Sequence, residues 1–99
     1  MIQKIDLIMN TIKSMDIKNK LRLGVCIFSS SYINTSYDKA KIFNKMDAKL
    51  KEIDKEYIIS FSGIENHPFV LFAASKIMEL TKEEQNRIAM YLVNTLNII

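Results

Sequence analysis

The chain has 99 residues, of which 48% are apolar and 25% charged, and its formal net charge is +3. That length and balance describe one domain able to bury a core of its own, without the bias of a disordered or disulfide-rich chain. With two glycines and one proline in all, a sandwich of many tight turns is disfavoured, and the longest apolar run, residues 69–74, falls far short of the ~20 residues of a membrane span.

Residues 2–14 carry Ile5, Ile8, Met9 and Ile12 at spacings of three and four, which is one face of a helix. Asp16 can cap a second helix starting at Ile17, whose stripe runs through Leu21, Val25, Phe28 and Tyr32. Leu21, Leu23, Val25 and Ile27 also alternate as a strand would. Residues 29–38, rich in serine, read as a loop, with Ser36 and Asp38 both suited to cap the next helix. From Lys39 an alternating three-four repeat places Phe43, Met46, Leu50, Ile53, Tyr57 and Ile64 on one side, with Gly63 suited to a helix end. Its last part, residues 57–62, has strand chemistry. Asn66 can cap a helix that holds Pro68 in its first turn and turns Phe69, Phe72, Ala73, Ile77 and Leu80 to one side. Thr81 and Glu84 match a capping box for a last helix bearing Ile88, Tyr91, Leu92 and Leu96.

These elements predict a single all-α domain, a compact bundle of about five helices at residues 2–14, 17–32, 39–62, 67–79 and 82–97. The alternative is an α+β fold with short strands near 21–28 and 57–62.

Residues for chemistry are sparse. One histidine, His67, and one cysteine, Cys26, cannot assemble a zinc set. Cys26 lies among Val25, Ile27 and Phe28 and reads as a buried, inert thiol. Two isolated glycines cannot form a phosphate-cradling loop. No catalytic residue, metal or cofactor is therefore expected, and the chain is not expected to be an enzyme. The first residues, Met1 to Asp6, have no apolar stretch of the kind a secretion signal needs, so a cytoplasmic location is expected. Isoleucine, lysine and asparagine make up 36 residues, a bias that AT-rich coding produces. It points to a low-GC bacterium, or to a phage or mobile element living in one.

Charge is distributed unevenly. Residues 1–51 hold ten basic and four acidic side chains, and residues 52–99 four basic and seven acidic. Lys41, Lys45 and Lys49 recur at every fourth position, so they should line one helical face able to meet an acidic protein surface or a phosphate backbone. The expected partner-binding residues are Lys39, Lys41, Lys45 and Lys49, with the aromatics Tyr32 and Tyr37 nearby. The expected function is a non-enzymatic protein-binding module, an inhibitor, adaptor or accessory regulator, and a homodimer is open to it. The alternative is a nucleic-acid-binding regulator that uses the same lysines on phosphate. No membrane partner is expected.

Overall fold

The computed structural model describes residues 3–30, 33–55 and 67–99. Those residues form five helices and no strand: α1 (Lys4–Lys13), α2 (Ile17–Phe28), α3 (Lys39–Ile53), α4 (Pro68–Met78) and α5 (Lys82–Thr95). The fold is the all-α bundle. Residues 21–28 lie inside α2, so the strand proposed there is overturned. The strand considered at 57–62 lies outside the described residues, as do Tyr32, Gly63, Ile64 and the cap Asn66.

The helix starts follow from side-chain acceptors for backbone amides that lack helical partners. The Asp16 carboxylate accepts the Asn19 N–H at 2.8 Å, and the Asp38 carboxylate accepts that of Lys41 at 3.2 Å. At α5 the capping box is complete. Thr81 Oγ1 accepts the Glu84 N–H at 3.2 Å and Glu84 Oε1 accepts the Thr81 N–H at 3.0 Å. The same helix ends in a Schellman turn. Asn97 takes φ 54°, and the Ile98 N–H returns to the Val93 carbonyl at 3.0 Å. That turn tucks Ile98 against the core and leaves Ile99 exposed.

Helix α2 is central. It packs on α3, α4 and α5, while α1 packs on α4. Leu21, Leu23, Val25, Ile27 and Phe28 are all buried, because neighbours lie on several sides of the helix. A helix buried this widely has apolar residues at alternate positions too, which explains its strand-like pattern. Where α3 crosses α2, Gly24 allows close approach, since a Cβ at that position would overlap Met46 Sδ.

Two predicted helices are shorter in the structure. The one expected over 17–32 ends at Phe28 with Ser29 as its cap residue. The one expected over 39–62 ends at Ile53, where Asp54 turns extended with φ −130° and ψ 97°. Arg22 of α2 holds the Asp54 carboxylate at 2.8 Å, with both side chains mostly buried, so a cross-helix ion pair anchors the chain where the helix stops. The core side of α3 also differs from the expected stripe. Ile42, Met46 and Leu50 are fully covered, and Phe43 and Ile53 only partly.

Candidate functional site

The lysine row of α3 does not form one solvent-facing strip. Lys41 and Lys45 are exposed, but Lys49 is half-buried, and its ammonium donates to the Leu96 carbonyl at the end of α5. The reason is geometric. A residue every fourth position winds about 40° per step around a helix of 3.6 residues per turn. Two steps from Lys41 thus carry Lys49 round towards the packed side. Lys51 pairs with Asp47 at 3.1 Å. Lys39 is half-buried beside a shallow cleft that Phe28, Ser29, Phe43 and Asn44 also line. Tyr37 is half-buried against the core.

The other basic cluster is largely engaged within the fold. The ammonium groups of Lys13 and Lys20 stand 5.9 and 5.6 Å from the Tyr91 ring centre, within the range of cation–π attraction. Arg22 donates to both Asn19 and Asp54.

A different surface stands out, and it comes from the residues of α4. The sequence of this helix, Pro68 to Met78, contains one charged side chain, Lys76. Only Val70, Ala73 and Ile77 are buried. The expected inward placing of Phe69 and Phe72 is overturned, since they are 52% and 58% exposed, and Leu71 is 39% exposed. With small Ala73 as its contact, the helix sits on α1 and α2 through a narrow edge, and its bulky side chains fan outward. Leu7 on the adjoining side of α1 is 56% exposed. Between α1 and α4 runs an open groove of about 290 Å³ lined by Leu7, Ile8, Thr11, Phe72 and Ala73, with Lys4 and Lys76 on its rim.

The cationic end of this groove is defined by three side chains. The Glu79 carboxylate, at the cap of α4, lies 3.6 Å from Lys4 Nζ and 3.3 Å from Lys76 Nζ. Lys76 also stands 5.4 Å above the Phe72 ring centre. The two cations, Lys76 foremost, hold the Glu79 carboxyl below its ordinary range. The groove is thus apolar along Leu7 and Phe72 and positive on balance at one end.

Sequence reasoning also missed a polar clasp on α5. Gln85 is buried and its Nε2 donates to the Ile77 carbonyl at 3.1 Å. Its Oε1 accepts the Asn34 backbone N–H at 3.0 Å and the Asn34 side-chain amide at 2.7 Å. Next to it, Asn86 Oδ1 accepts from Thr35 Oγ1 at 3.1 Å and from the Ser36 N–H at 3.0 Å. The signal available was Gln85 itself, a polar residue in line with Ile88, Ala89 and Leu92 on the packed side of α5.

Cys26 is half-buried, and burial pushes its thiol up from the usual range, so it remains protonated and weakly nucleophilic at neutral pH. His67 sits half-buried at the start of α4 and makes no side-chain capping bond. Among the described residues, no three His, Cys, Asp or Glu side chains converge, and no helix is long and apolar enough to cross a membrane. No family model, curated protein or solved structure matches the chain.

Proposed function

We propose that this chain is a non-enzymatic module that binds another protein through the outward side of α4 and the adjoining edge of α1, serving as an inhibitor, adaptor or accessory regulator. The observation that carries the reading is α4 itself. A helix apolar on nearly all sides normally lies inside a protein, yet α4 buries only Val70, Ala73 and Ile77 and exposes Phe69, Leu71 and Phe72. Scattered exposed apolar residues are common, but a contiguous patch of this kind marks an interaction surface. Aromatic side chains are also the usual anchors of protein interfaces.

The test uses the chain as bait in a lysate of a low-GC bacterium, with nuclease present. Phe72→Glu, at an exposed position, should keep the helical circular dichroism and the melting midpoint and lose the captured protein. If Phe72→Glu retains every protein captured by the parent chain while Lys41→Glu with Lys45→Glu does not, the α3 lysines are the binding site and this reading fails. Capture that disappears with nuclease would favour the nucleic-acid alternative, whose affinity should fall steeply with salt.

A further inference from the structure

We infer that the groove between α1 and α4 takes an acidic amphipathic helix, which seats apolar side chains along Leu7 and Phe72 and places a carboxylate between Lys4 and Lys76; this rests on the protein-binding reading of the same face. The size of the groove argues for side chains over a whole small molecule. At about 290 Å³ it falls just below the range of small-molecule pockets, and it is open along its length. It has room for a few apolar anchors of the kind that a helix offers at positions three and four apart.

The charge argues for an acidic occupant. Two ammonium groups flank the groove end, and the nearest carboxylate, Glu79, is shared between them at 3.6 and 3.3 Å. Glu79 sits at the C-terminal end of α4, where the helix dipole disfavours an anion. It is held there by the two lysines and stands in for the group that an occupant would bring. An incoming carboxylate meets both cations without that dipole cost. The groove side of α1 also offers the positive end of its own helix, since Lys4 is its first residue. A basic or neutral helix would fill the apolar part of the groove but leave Lys4 and Lys76 opposed or unpaired.

A displayed library of randomised helical peptides, selected on the full chain and counter-selected on Phe72→Glu, tests this. Selected peptides should carry apolar residues at helical spacing and an excess of Asp and Glu. A selected peptide should bind the parent chain at least about tenfold more tightly than Lys4→Gln with Lys76→Gln at low salt, roughly 1.4 kcal/mol. Changing its carboxylates to lysines should remove binding to the parent and restore it to Lys4→Glu with Lys76→Glu. Selection of neutral or basic peptides that still need Phe72 would overturn the acidic occupant and leave the proposed function standing. No Phe72-dependent peptide at all would sink both. Sedimentation showing a dimer that Phe72→Glu dissociates, or Phe72-dependent binding to phosphatidylserine vesicles, would assign the face to a second copy or to a lipid surface and overturn the inference.

Discussion

Gln85 holds Asn34 through a single oxygen, which accepts both the backbone amide and the side-chain amide of Asn34 at 3.0 and 2.7 Å. Because the glutamine is buried and its own amide is bonded to the end of α4, it fastens the segment before α3 to two other helices at once. Replacing it leaves donors and acceptors inside the protein without partners, and each such group costs about 1–3 kcal/mol. Gln85→Leu should therefore destabilise the chain by at least ~1 kcal/mol in urea unfolding. Hydrogen exchange at Asn34 should accelerate more than at Ile88. Equal acceleration at both sites would show that the clasp does not hold the segment locally.

The crossing of α2 and α3 gives a prediction with a change of sign. Alanine is normally better than glycine inside a helix by about 1 kcal/mol. At Gly24 the added methyl would overlap Met46 Sδ, and Met46 is fully buried. Overpacking costs about 1–3 kcal/mol, so Gly24→Ala should destabilise the parent chain. In a Met46→Ala background the methyl has space, and the same change should stabilise. A thermal-melt cycle over the four proteins that finds simple additivity would contradict the packing described for this contact.

The three α3 lysines should separate in their effects. Lys41→Glu and Lys45→Glu change exposed side chains and should each alter stability by less than about 0.5 kcal/mol. Lys49→Glu places a carboxylate against the Leu96 carbonyl, where the parent has an ammonium donor. It should cost about 1–3 kcal/mol, the range for losing a bond to a charged group, and should loosen the end of α5. A melting midpoint for Lys49→Glu that matches that of Lys41→Glu would place Lys49 in solvent.

Cys26 supplies a pH prediction. Its thiol is raised by burial, so the folded chain keeps the proton more tightly than the unfolded chain does. The sign follows from linkage. This contribution to stability is complete below the unfolded thiol range and is lost as pH rises through the folded value. Iodoacetamide should accordingly label Cys26 more slowly in the folded chain than in urea at pH 8, and the rate should rise towards pH 10. Labelling at the unfolded rate at pH 8 would show an accessible thiolate.

The sequence conveyed what depends on neighbours along the chain. Asp16, Asp38 and Thr81 act as caps because a cap is a local event, with the acceptor three residues from its donor. Helix α3 shows where that ends. Its repeat continues past Ile53, and no local feature stops it. Asp54 is fixed by Arg22 on another helix, a partner that spacing alone does not reveal. The apolar face was hidden for a related reason. Phe69 and Phe72 read as core residues because size and hydrophobicity usually mean burial, yet which side of α4 is packed is set by α1 and α2. The lysines of α3 were legible as a series but not as a surface, since the winding of the helix and the end of α5 together take Lys49 out of it.

The exposure of α4 also bears on the behaviour of the protein in solution. Copies that carry uncovered phenylalanine and leucine side chains attract one another at short range, whereas their net charge of +3 keeps them apart at longer range. Added salt screens the second effect over a Debye length of about 10 Å at 0.1 M and leaves the first intact. The chain is therefore poised for reversible clustering as ionic strength rises, and anything that occupies the outward side of α4 would act on it as a dispersant.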